Sequence, residues 1–156
     1  MNIDKKNLLK NILIPLLVGG LAALLTRNSM AAFAALNQPP ISPPDILFPI
    51  VWTILYTLMG VSFYLIETAV VPSDLKAEAR FLYTLQLIVN FLWPVFFFNL
   101  NWYLFSFFWI ILLIIIVLHM MKQFSYISKL AVYLNIPYLI WLIFASYLNY
   151  GVWILN

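Results

Sequence analysis

From Phe81 to Met121 the chain carries no charged residue, and that one run limits what the rest can be. As α-helix at about 1.5 Å per residue it would be roughly 60 Å long, about two bilayer thicknesses, so it has to turn back once. Asn99-Leu100-Asn101, the polar triplet near its middle, is the natural place. Composition agrees: 65% of the 156 residues are hydrophobic and 8% charged, against about 45–50% and about 25% in soluble domains. A single core of this size cannot hide so much apolar surface, which excludes an ordinary water-soluble domain. The same apolar content excludes a disordered chain.

Other apolar runs are bounded by charge or turn residues. Together they give five spans, at about 11–26, 46–67, 81–98, 102–121 and 130–154. A β-barrel is the other way to satisfy the backbone in lipid, but its strands alternate apolar and polar residues, and Ile110 to Leu118 does not alternate. The expected fold is therefore an all-α membrane protein, a bundle of five transmembrane helices forming one domain over 1–156, with no internal repeat. Lys5, Lys6, Lys10, Lys76, Arg80, Lys122 and Lys129 fall on one side of this topology and only Arg27 on the other. The positive-inside rule puts the N-terminus in the cytoplasm and the C-terminus outside, in the plasma membrane. Lys5, Lys6 and Lys10 followed by an apolar stretch and Ala32-Phe33-Ala34 also have the grammar of a signal peptide. Cleavage there would leave four spans in the same orientation.

Much chemistry is excluded by what is missing. With no cysteine and one histidine, thiolate and histidine-rich metal sites are ruled out. The eight cations lie at span ends and form no nucleic-acid-binding face. Ionisable groups inside a membrane mark proton relays and ion pathways, yet Glu67 and His119 are the nearest examples and both sit at inner span ends. That argues against a proton-driven exporter and against hydrolysis. No general acid, base or metal ligand can be assembled, so no catalytic residue and no required cofactor are expected.

The spans do contain aromatic residues at helical spacing. Trp52 and Tyr56 share a face of the second helix; Asn90, Trp93 and Phe97 share one on the third; Pro137, Trp141, Ala145 and Leu148 share one on the fifth. A carboxamide inside a span needs a partner, so Asn90 turns inward. Trp102 and Trp153 lie at span boundaries and read as interfacial anchors. These patterns predict one ligand cavity beneath the Arg27–Pro44 connection. Trp52, Tyr56, Asn90, Trp93, Phe97, Trp141, Ala145 and Leu148 would line it, with Ala23 on the first helix leaving room.

Several blocks resemble a known family. Leu36-Asn37-Gln38-Pro39-Pro40-Ile41-Ser42-Pro43-Pro44, Phe48-Pro49-Ile50-Val51-Trp52-Thr53-Ile54-Leu55-Tyr56, Asn90-Phe91-Leu92-Trp93-Pro94 and Pro137-Tyr138-Leu139-Ile140-Trp141 through Asn149 are similar, in order, to the motifs of the TspO/MBR family of tryptophan-rich sensory and translocator proteins, also called peripheral benzodiazepine receptors. Pro15, Gly19, Ala23 and Arg27 match the family's first helix, which makes an uncleaved first span the expectation. The resemblance implies a five-helix bundle that binds protoporphyrin IX, haem and other flat hydrophobic ligands, often as a homodimer. It leaves three function classes open: a tetrapyrrole sensor, regulator or transporter; an enzyme that breaks down protoporphyrin in light and oxygen, with Trp52 and Trp141 as redox partners; or a scaffold with a vestigial pocket. The chain departs from the family at Ala32-Phe33 and at Gln38-Pro39-Pro40-Ile41, where a Trp-Tyr pair and a Lys-Pro-Ser-Trp run are usual, and at Val95 and Asn99. Leu148 to Trp153 lacks the cation that a proposed sterol motif requires. The small-xxx-small step of Gly19 and Ala23 suits close helix contact, either within the bundle or across a dimer.

Overall fold

The computed structural model describes residues 4–156, and every regular element among them is helical. Five long helices, α1 (Lys5–Thr26), α3 (Leu47–Thr68), α4 (Ser73–Pro94), α5 (Tyr103–Ser125) and α6 (Lys129–Leu155), are each long and apolar enough to cross a membrane. A short helix, α2 (Met30–Ala34), lies in the connection between α1 and α3. Helix α1 packs on α3 and α4, α3 on α6, α6 on α5, and α5 on α4, so the five close a ring in the order α1, α3, α6, α5, α4. Inside it, Met59, Ile66, Ile110, Val117, Met120 and Leu142 are buried, while Leu17, Leu24, Ile54, Ile140 and Ile143 are more than half exposed on the outside. An apolar exterior around a packed interior is what a lipid solvent demands.

The helices overrun the spans read from hydropathy. Helix α1 starts at Lys5 and α4 at Ser73, some two turns before the uncharged stretches begin. Charge ends a membrane span but not a helix: Lys76, Glu78 and Arg80 lie within α4. That end is capped by polar contacts. Asp4 Oδ1 accepts the Lys6 and Asn7 N–H groups; Arg80 forks onto the Glu67 carboxylate at 2.6 and 2.8 Å; and Lys76 Nζ donates to the terminal carbonyls of α3 at Glu67 and Ala69.

The expected break is where the sequence puts it. Past Pro94 the helix widens into a π-turn over Val95–Asn99, and Asn101 takes a left-handed backbone with φ 56°, which asparagine tolerates better than most residues. Helix α5 then starts at Tyr103. Of the prolines within spans, Pro15, Pro94 and Pro137 lie inside helices, whereas Pro49 falls in the first turn of α3, where no hydrogen bond is lost.

Two glycines set the α1/α3 seam. A Cβ at Gly60 would lie 2.5 Å from Ile12 Cα, and one at Gly19 would overlap the Tyr56 ring. The small residue at Gly19 therefore seats Tyr56 within the bundle.

Candidate functional site

Helices α3, α4 and α6 bring four polar side chains together in the apolar interior. Tyr56 OH donates to Asn90 Oδ1 at 2.6 Å, Asn90 Nδ2 donates to Tyr138 OH at 2.9 Å, and Tyr138 OH donates to Gln86 Oε1 at 2.9 Å. All four residues are buried. Such a chain is stable in low dielectric because each polar group has a partner. Trp52 stacks on Tyr56 with ring centres 5.3 Å apart and meets the edge of Tyr138 at 6.2 Å.

A second cluster lies nearer the α1–α3 connection. Trp93 stacks on Phe97 at 5.3 Å and donates its indole N–H to Asn149 Oδ1 at 3.0 Å; Asn149 Nδ2 donates in turn to the Tyr103 carbonyl. Phe33 of α2 presses edge-on against Phe97 and Phe98, so the connection is seated on this cluster. It is fastened on both sides: Ser29 donates to Asn99 Oδ1, and Asn99 Nδ2 donates to the Leu25 carbonyl, while Asn37 and Asn156 exchange two hydrogen bonds. Pro39 sits where any side chain at Gly151 would stand.

Trp141 belongs to neither cluster. It is half-buried on the wall of an apolar groove of about 520 Å³ between α3 and α6, lined also by Val51, Ile54, Leu55, Pro137, Ile140 and Phe144. Phe48 approaches the indole edge-on at 5.8 Å, and Phe144 is tilted against it at 5.6 Å. Its indole N–H is buried and has no hydrogen-bond partner. A buried donor without an acceptor is costly.

Of the nine residues predicted from sequence, Trp52, Tyr56 and Asn90 form the first cluster and Trp93 and Phe97 the second. Ala145 and Leu148 are buried on the inner face of α6, and Trp141 lines the groove. Ala23 stands apart: it is exposed on the outer face of α1, where Ala22 points inward instead. This groove and another between α1 and α4 open on the flanks of the bundle. Beneath the Arg27–Pro44 connection, Phe33 packs edge-on against Phe97 and Phe98.

The inner stripe of α6 is also rotated from the predicted one. It runs through Asn135, Tyr138, Leu142, Ala145, Asn149 and Val152, at alternating steps of three and four, and leaves Pro137 exposed and Trp141 on its shoulder. Tyr138 and Asn149 were missed for this reason, and Gln86, on α4, was passed over beside Asn90. The signal was present: Gln86 is one turn before Asn90, and Asn135, Tyr138 and Asn149, at steps of three and eleven, fall on one helical face.

The chain matches the TspO/MBR family over residues 11–154. It is 36% identical over 157 residues to a tryptophan-rich protein TspO from Archaeoglobus fulgidus, covering 100% of this chain and 99% of the relative. It is 37% identical over 124 residues to a tryptophan-rich protein TspO from Chlorobaculum tepidum, covering 80% and 78%, and 33% identical over 153 residues to the translocator protein of Bos taurus, covering 90% and 85%. With this match across the five-helix ring, the chain belongs to the TspO/MBR family.

Proposed function

We propose that the protein binds protoporphyrin IX, haem or a similar flat hydrophobic tetrapyrrole, as a sensor, regulator or transporter, at the groove between α3 and α6. The observation that carries the reading is the unpartnered indole N–H of Trp141 on an apolar wall flanked by Phe48 and Phe144. A macrocycle offers a broad π-face to those rings, each offset or edge contact adding about 0.5–1.5 kcal/mol, and peripheral carboxylates for the indole N–H once its ring turns toward the groove. Asn90, with its oxygen and nitrogen already engaged by Tyr56 and Tyr138, stiffens the wall behind the ligand. Titrating the full chain in detergent with protoporphyrin IX and following tryptophan quenching tests this. Saturable quenching that weakens in Trp141→Phe, which keeps an aromatic face but loses the N–H, is expected; identical titrations for the two proteins would refute it.

A second reading, photo-oxidative breakdown of protoporphyrin, draws support from one feature. Trp52 stacks on Tyr56, whose hydroxyl is hydrogen-bonded into the buried polar chain, so an oxidisable pair lies one turn along α3 from Phe48. Under light and oxygen, catalytic loss of the ligand's Soret band that Trp52→Phe abolishes would favour this reading over simple binding.

The cation distribution supports the cytoplasmic N-terminus and external C-terminus in the plasma membrane. A C-terminal reporter active only outside the cytoplasm should be active. Activity of a cytoplasm-only reporter at that position would reverse the topology.

A further inference from the structure

On the opposite flank, α1 and α4 diverge enough to leave an apolar groove of about 630 Å³. Its α1 wall is Ile14, Val18 and Leu21, and its α4 wall includes Thr84, Ile88 and Leu92. Both walls repeat at helical spacing, so the groove runs along the helices, and the nine steps from Tyr83 to Leu92 give it a length of about 13 Å. Both helices begin at the cationic end of the bundle, so the groove has one end near the charged boundary and one deep among apolar side chains.

The charged end is built differently from the rest. Tyr83 lines the groove there and is 3% exposed, face-stacked on Phe63 at 4.0 Å, and its hydroxyl is buried with no hydrogen-bond partner. One turn nearer the boundary, on the same helical faces as Ile14 and Thr84, stand Lys10 and Arg80. Lys10 is exposed and forms no ion pair among the described residues; Arg80 is half-exposed and shares its guanidinium with Glu67. Along one line the order is thus cation, unpartnered hydroxyl, apolar trough.

We propose that this groove is a binding site for one anionic glycerophospholipid of the adjoining leaflet. Its phosphate meets Lys10 and the free edge of Arg80, an ester carbonyl accepts from Tyr83 OH, and an acyl chain lies between α1 and α4. The order of chemistries and the alignment along the helices match a lipid standing in its own leaflet. A second copy packed here about a two-fold axis would present the same face, Lys10 and Arg80 included, and so bring like charges together. This site is independent of the α3/α6 groove.

Native mass spectrometry of the full chain in detergent, titrated with dioleoyl phosphatidylglycerol, is the test. One lipid should bind above the non-specific background. Ile88→Trp, which fills the trough from an exposed position, should abolish that species, whereas Ile115→Trp, on the exposed face of α5, should leave it intact. Lys10→Ala and Tyr83→Phe should each weaken it several-fold, and dioleoyl phosphatidylcholine should bind more weakly than the anionic lipid. Equal binding to Ile88→Trp and Ile115→Trp would overturn the proposal. So would efficient disulfide dimerisation of Ile88→Cys in phosphatidylglycerol nanodiscs, a clean readout in a chain without cysteine, because it would put a second copy over the groove.

Discussion

Asn90 holds two tyrosine hydroxyls from two other helices, so its replacement should act on stability before it acts on binding. Asn90→Leu leaves both hydroxyls short of a partner in an apolar interior and should cost about 1–2 kcal/mol, read as a lower unfolding midpoint in detergent with α-helical content unchanged. Trp141 should behave in the opposite way. Being half-buried on a groove wall with no hydrogen bond to lose, Trp141→Phe should leave the midpoint nearly unchanged, and Trp141→Ala should weaken protoporphyrin binding by about 5- to 150-fold, the equivalent of about 1–3 kcal/mol. Trp102 and Trp153, both exposed, should accept Phe with no loss of affinity. Asn90 was legible in the sequence because a carboxamide in an uncharged span has to find a partner. Its partners were not, since hydropathy cannot say which of nine tyrosines will face it.

The α1/α3 seam depends on one glycine far more than on its neighbour. A methyl group at Gly60 meets the backbone of Ile12 and Asn11, which cannot rotate away, whereas one at Gly20 meets nothing. Gly60→Ala should therefore destabilise by about 1–3 kcal/mol through overpacking, while Gly20→Ala should be neutral or slightly stabilising, both read by thermal unfolding. Element type and order were legible throughout, because lengths of about 20 apolar residues admit little else. Helix ends were not: Ser73 to Arg80 extends α4 beyond its uncharged stretch, where hydropathy is silent about helix. The rotation of α6 was missed because tryptophan and proline drew the predicted stripe, while the buried positions follow Asn135, Tyr138 and Asn149.

At the scale of the whole molecule, the sequence predicted a cavity beneath the Arg27–Pro44 connection. There the structure packs Phe33 edge-on against Phe97, which stacks on Trp93, and the connection is held down from both sides through Asn99 and Asn156. Grooves open on two flanks of the bundle, and the proposed ligand would enter the α3/α6 groove sideways, between helices. Two residues at matching exposed positions separate the flanks: Ile140 in the α3/α6 groove and Ile88 in the α1/α4 groove, each more than half exposed. The most direct measurement is the protoporphyrin IX dissociation constant of Ile140→Trp and Ile88→Trp, taken on monodisperse full-length protein in the same detergent. A loss of tenfold or more in Ile140→Trp with wild-type affinity in Ile88→Trp is the predicted result; equal affinities in the two variants, or a loss confined to Ile88→Trp, would contradict it.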